Sequence, residues 1–304
     1  MPHRMLACVV ASVVLAGCAT TSPYAPSGSD GRSVVAVASI DAWGSILAQL
    51  GGVHARETSI ISSPGTDPHD YEPTPADAKV IAEAQVFVEN GVGYDSWAGK
   101  AVQANPVSGR RVIDVGAVTG TPSDGNPHRW YSPTDVARVA DAMTAALKQA
   151  DPADAGYFDR QRQTFDQVGL ARYHQLLEEI RTRFHGVRVG ASESIFSPLA
   201  AALGLTVITP PSFLKAISEG TEPSAADKST IDRQLKDRAM AVYVFNSQNA
   251  TPDVSAQVAA ARQQGIPVIS LTETLSPAGT TFQDWQVKQL LALRQALTDA
   301  ESRR

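Results

Sequence analysis

The chain has 304 residues, of which 43% are hydrophobic and 19% charged, with a net charge of -5. That is a globular composition long enough for two lobes of ordinary size, and its mild acidity argues against the basic face that nucleic acid requires. The two cysteines, Cys8 and Cys18, both lie near the start, so the remaining chain can form neither a disulfide nor a thiolate metal site.

Arg4 gives a short positive start, and Met5 to Gly17 is small and apolar but too short to span a bilayer stably. It ends in Leu15-Ala16-Gly17-Cys18, which resembles the bacterial lipoprotein cleavage box. The expectation is a signal peptide over 1–17 and a mature chain that is exported and held to the cell membrane by acylated Cys18. Residues 18–32 are rich in Ser, Thr, Pro and Gly and read as a flexible tether.

From Ser33 strands and helices alternate. Strand-like runs are Val34 to Ala38, Glu57 to Ile61, Val86 to Glu89 and Val112 to Val115. Helices are expected over Asp41 to Leu50, Pro75 to Ala84, Tyr94 to Val102 and Pro133 to Ala150. Asp151 to Phe184 reads as one long helix, roughly 45–50 Å at 1.5 Å per residue, or as two shorter helices broken at Gly169. A second set follows, with strands at Val187 to Ala191, Thr206 to Thr209, Ala241 to Phe245 and Val268 to Leu271. Its helices run over Ser194 to Leu203, Pro223 to Leu235, Pro252 to Gln264 and Phe282 to Ala300, while Pro210 to Glu222 reads as a loop. Strands separated by helices imply crossover connections and parallel sheets, an α/β class.

Two loops share a design. Gly65-Thr66-Asp67-Pro68-His69-Asp70-Tyr71-Glu72-Pro73-Thr74-Pro75 holds a histidine in a Pro-stiffened segment before a helix capped by Thr74. Asn126-Pro127-His128-Arg129-Trp130-Tyr131-Ser132-Pro133 repeats this, with Ser132 as the cap. Ligands of parallel sheets bind beyond the carboxyl ends of strands. The polar residues found there are His69, His128, Glu193 and Glu273. Two imidazoles and two carboxylates suit a divalent transition metal and balance its charge. The alternative makes the two glutamates helix-start or surface carboxylates. Trp130 is expected to line the cleft, and Asn246 and Gln248 either orient a ligand or cap a loop. His54, His174 and His185 have no partners in motif spacing.

Asp67-Pro68-His69 through Pro75, Glu89-Asn90-Gly91-Val92-Gly93-Tyr94, Asn126-Pro127-His128-Arg129-Trp130 and Glu222-Pro223-Ser224 together resemble the metal-binding solute-binding lipoproteins of zinc and manganese ABC importers. The resemblance implies two α/β lobes, each with a parallel sheet flanked by helices, at 33–150 and 186–304, joined by one long rigid helix over 151–185. It also implies a monomer that captures metal between the lobes for an ABC permease. By position, His69, His128 and Glu193 match three ligands of that family. Glu273 stands where the family usually has aspartate, which adds one methylene. Glu193, and the lack of a histidine-rich loop between His69 and His128, favour Mn2+ over Zn2+ as cargo, although intrinsic affinity runs the other way. Two other classes remain as alternatives: a metallohydrolase with Glu193 as general base, and a surface adhesin stabilised by its metal. The chain carries no His-Glu-x-x-His or Gly-x-Ser-x-Gly signature of a hydrolase.

Overall fold

Small and β-branched residues from Val34 to Ile40 form the central strand β1, buried on both faces, which is why its letters show no in–out alternation. In the computed structural model the described residues are Met1, 33–63, 65, 66 and 71–303. The leader, Cys18, the tether and His69 lie outside them. After β1 come α1 (Asp41–Gly51), β2 (Ala55–Ile61), α2 (Pro75–Glu83), β3 (Val86–Glu89), α3 (Ser96–Ala104), β4 (Arg111–Asp114), α4 (Val115–Thr119) and α5 (Pro133–Ala150). Helices α6 (Ala155–Thr164) and α7 (Ala171–Phe184) lead to the second half. That half contains β5 (Arg188–Ala191), α8 (Ser197–Ala202), β6 (Thr206–Val207), α9 (Pro211–Ser218), α10 (Ala225–Lys236), β7 (Tyr243–Asn246), α11 (Pro252–Gln263), β8 (Val268–Leu271) and α12 (Phe282–Glu301). Among the described residues, no helix is long and apolar enough to cross a membrane.

The first sheet has the order β2-β1-β3-β4 and the second β6-β5-β7-β8, all pairs parallel. Each half therefore repeats one winding, first-placed strand beside the second and third. In both, the strand order reverses beside that first strand, and this leaves a crevice at its carboxyl end. A single apolar core runs through both halves, and a smaller cluster around Phe213, Ile231, Tyr243 and Val254 lies in the second. Polar contacts also join the halves. Phe282 N donates to Ser45 Oγ at 2.9 Å, Leu275 N to Asp41 Oδ2 at 3.0 Å, and Tyr131 OH to Thr272 O at 2.8 Å.

The capping signals act as their chemistry requires. Thr74 and Asp77 exchange side-chain and backbone hydrogen bonds in a capping box, while Ser132, Ser224, Thr251 and Thr281 each accept the N–H three residues on.

Two expectations shift and a third resolves. Strand β4 ends at Asp114, whose carboxylate caps α4 by accepting from Ala117 N at 3.1 Å, so Val115 opens a helix rather than closing a strand. The loop expected at Pro210 to Glu222 contains α9, because Phe213, Leu214 and Ile217 make a helical apolar stripe that burial rewards despite the surrounding Pro, Ser and Gly. Of the two readings of Asp151 to Phe184 the broken one holds: the helical segment begins at Ala155, and a π-turn at Phe165–Gly169 interrupts it, with Leu170 N donating to Phe165 O at 2.8 Å. The extra residue re-phases the buried stripe: α6 packs on α1 and α5, α7 on α12.

Glu89, at the end of β3, has its carboxyl pushed up to about 7 by burial and then by the charges of Asp95 and Asp114. Between the ordinary carboxylate range and about pH 7 the folded chain holds a proton that the unfolded chain has lost. Stability therefore falls as pH rises through that window, and the penalty is complete above it. Glu89→Gln is expected to stabilise the protein by about 1–2 kcal/mol at pH 8, after allowance for solvent screening, and by little at pH 4.5. Denaturant melts at the two pH values check this; an equal effect at both would remove the linkage.

Candidate metal centre

In the second half the crevice opens between β5 and β7. The chain leaves β5 extended, with φ −158° and ψ 179° at Glu193, which carries this carboxylate into the crevice, where the residue is only 1% exposed. Its Oε1 accepts from Asn246 Nδ2 and its Oε2 from Asn249 Nδ2, both at 2.7 Å. Asn246 is the fully buried last residue of β7. The same Nδ2 also donates to Glu273 Oε1 at 2.7 Å. An amide has two N–H groups, so each glutamate takes one. Asn246 thus sets the spacing of two carboxylates whose mutual repulsion a cation would cancel.

The first half supplies the imidazole. His128 is 2% exposed. Asn126 Oδ1 lies 3.0 Å from both the backbone N and the Nδ1 of His128. Because Oδ1 can only accept, Nδ1 is the donor, and in the neutral ring this leaves Nε2 as the lone-pair nitrogen, the tautomer a metal ligand needs. Asn126 Nδ2 donates across to Ser194 O at 2.7 Å, the residue after Glu193. The His128 loop is held from below, since Asn90 Nδ2 donates to Pro127 O at 3.0 Å and Trp43 Nε1 to Asn90 Oδ1 at 2.9 Å. Tyr94 OH donates to Glu273 Oε2 at 2.6 Å, and burial, with the Glu273 charge second, pushes that phenol well above its usual range, so it stays a donor. A left-handed run through Gly91, Val92 and Gly93 (φ 67°, 54° and 73°) turns the chain to deliver Tyr94, an unusual conformation for β-branched Val92.

One donor atom each from His128, Glu193 and Glu273 lies within 4.8 Å of the others. Ligands about 2.0–2.2 Å from a common ion stand about 3–4.4 Å apart, so these three are close to that spacing. Glu273 also lines a cavity of about 690 Å³, together with Thr66, Gly93, Asn126, Ser194 and Asn249, drawn from both halves. His69 follows Thr66 by three positions but is outside the described residues.

Trp130 does not line this cavity. It is fully buried behind His128, ring centroids 5.3 Å apart, because the apolar ring gains more between Trp43 and Tyr94 than at a wet surface. Asn246 does orient the carboxylates, and Gln248 Nε2 donates to Thr274 Oγ1 at 2.7 Å. Tyr94 and Asn126 lie within motifs that carry the family resemblance but have no site role in the letters, and Asn249 lies outside those motifs. Only Asn126 carried a local signal, as an Asn two residues before a histidine, where its side chain can take that residue's N–H. His54 has a partner after all: its Nδ1 pairs with Asp154 at 2.6 Å.

Residues 36–296 match the family described as ZnuA, zinc-uptake complex component A, periplasmic. The chain belongs to this family. Its members serve an uptake complex and are not enzymes, so the hydrolase alternative falls away. Among relatives, the manganese-binding lipoprotein MntA of Halalkalibacterium halodurans is 29% identical over 152 residues, 48% of this chain and 49% of that one. The zinc-binding lipoprotein AdcA of Streptococcus pneumoniae is 24% identical over 283 residues, 83% of this chain and 53% of that one. The iron-binding protein YfeA of Yersinia pestis is 30% identical over 151 residues, 47% and 49% of the two chains. The chain thus spans about half the length of these relatives. Among solved structures, the Mn-bound periplasmic metal binding protein from Candidatus Liberibacter asiaticus superposes with a TM-score of 0.72 at 20% identity, over 88% of this chain and all of the other. The SBP FpvC from Pseudomonas aeruginosa in complex with Mn2+ gives 0.70 at 21%, over 88% and 99%. At such identities the likeness is one of fold.

Proposed function

We propose that this chain is the extracytoplasmic solute-binding protein of an ABC importer, and that it captures a divalent transition metal between its two sheets and hands it to the permease. The observation that carries the reading is the convergence of His128, Glu193 and Glu273 on one point, with Asn246 bridging both carboxylates. His128, Glu193 and Glu273 are three of the ligands in this reading. His69 is the fourth, supported by the position of Thr66 on the wall of the same cavity. Residues 33–150 and 186–304 act as two lobes bridged by 151–185, and closure on the metal is small because a helical segment joins them. A monomer held to the membrane through acylated Cys18 completes the proposal.

Manganese is the favoured cargo. Two carboxylates give the donor set an oxygen-rich character that suits this harder ion, although zinc binds such sites more tightly in isolation. Relatives whose names carry manganese, zinc and iron agree with a divalent cargo and leave the choice to chemistry. Both imidazoles must be neutral to bind, so affinity falls as the medium is acidified.

The test is elemental analysis of untagged protein purified without chelator, followed by calorimetric competition between Mn2+ and Zn2+. One equivalent of transition metal, with manganese retained when zinc is scarce, is the expected result. Protein that neither retains nor takes up either ion would end the reading.

A further inference from the structure

We propose that His54, Asp151 and Asp154 form a second, open site for a divalent transition metal, at the opposite end of the first sheet from the centre described above. One donor atom from each of the three lies within 4.8 Å of the others, and His54 Nδ1 stands 2.6 Å from Asp154 Oδ2. His54 closes the turn between α1 and β2, just before the first residue of β2. Asp151 and Asp154 bracket the turn Pro152–Asp154 between α5 and α6.

Local structure aims these groups at one another. Asp151 and Asp154 both occupy positions that start a helical turn, where an aspartate ordinarily accepts a backbone N–H. Neither does so here. The Asp154 carboxylate turns to His54 instead, and Asp151 comes within the same 4.8 Å cluster. The imidazole is held by Tyr157, whose ring centroid is 4.2 Å away, and by the edge of Phe158 at 6.4 Å. Tyr157 OH in turn accepts from Val53 N at 3.1 Å, which fixes the turn carrying His54. The three side chains are thus grouped before any ion arrives, and an ion would open the 2.6 Å His54–Asp154 contact, which is closer than two ligands of one ion stand.

The charge and exposure suit a weakly held ion. Two carboxylates and a neutral imidazole neutralise a 2+ charge, whereas a protonated imidazole balances only one of them. Side-chain exposures of 18% for His54 and 29% for Asp154 leave part of the coordination sphere to water. One nitrogen and two oxygens favour zinc, manganese and their neighbours over calcium or magnesium, which prefer oxygen alone. An ion here would tie the α1–β2 turn to the start of α6, the root of the segment leading to the second half.

The test uses the untagged full chain and zinc alone as the probe, by calorimetry and equilibrium dialysis. Wild type is expected to bind two equivalents, the second more weakly. Asp151→Asn, which leaves the His54–Asp154 pair intact, and His54→Ala should each weaken the second by about tenfold or more while the melting temperature stays near that of wild type. Glu193→Ala, which weakens the cargo centre without removing its other donors, should leave the affinity of the second equivalent at its wild-type value, and adding Asp151→Asn to it should weaken that equivalent by the same tenfold or more. This separates the second site from the proposed cargo centre, since either can fail alone. A Glu193→Ala protein whose remaining binding is nil, or is unchanged by Asp151→Asn, would make the cluster an ion pair only and overturn the proposal.

Discussion

Glu193→Ala is expected to weaken transition-metal binding by about 100-fold or more, at or beyond the upper end of what losing a ligand's orienting partner costs. The carboxylate is nearly fully buried, and the amides of Asn246 and Asn249 hold both oxygens, so its loss removes a donor already fixed in place. The metal-free protein should barely change in stability. Removal leaves two amide donors short of a partner, a cost of about 1–3 kcal/mol each when water cannot enter. It also relieves the repulsion of Glu193 and Glu273, and the adjoining cavity admits water to the amides. Asn246→Ala provides the comparison: it keeps every proposed ligand but removes the bridge, and should cost about 10–100-fold. Calorimetry on both variants beside wild type, with melts of the metal-free proteins, tests the set. An affinity for Glu193→Ala within about threefold of wild type would strike Glu193 from the ligands.

Trp130→Ala should carry the largest stability penalty, about 3–5 kcal/mol. The indole is fully buried and meets Trp43 at 6.4 Å, Tyr94 at 5.2 Å, His128 at 5.3 Å and Tyr131 at 6.3 Å between ring centroids. Most of these contacts are edge-on, a favoured arrangement for aromatic pairs. Deleting the ring removes a large apolar area and leaves a cavity that four stiff neighbours cannot fill. A drop in melting temperature of roughly 10 °C is expected for a chain of this size. The same deletion removes the wall behind the His128 imidazole, so metal affinity should fall as well. Trp130→Phe should recover much of both. A penalty below about 1 kcal/mol in denaturant melts would show that the ring is not packed as the structure has it.

The two effects meet at one loop, and that loop was unusually readable. Asn126-Pro127-His128 followed by Ser132-Pro133 signals a stiff turn, a histidine and a capped helix within eight residues, and each feature acts over a few bonds. The positions of Glu193 and Glu273 just beyond strands could be read for the same reason. Tyr94 could not: nothing near it in the chain refers to Glu273, and their hydrogen bond joins the two halves. The letters place Trp130 at the cleft and the structure places it in the core, because an aromatic beside a candidate ligand looks alike in letters whether it faces the cavity or the core. Helix α9 was hidden among residues that usually break helices. The burial of Phe213, Leu214 and Ile217 outweighed that local preference.

Caps, breakers, strand runs and the donor types at the strand ends were determined by the sequence alone, since each depends on side chains a few residues apart. The shared strand order of the two sheets, the π-turn that lets α6 and α7 face different partners, and the meeting of residues 128, 193 and 273 were decided only in three dimensions. The reason is energetic: pairing and packing between distant segments are selected by the apolar area they jointly remove from water. No stretch of chain carries that quantity by itself.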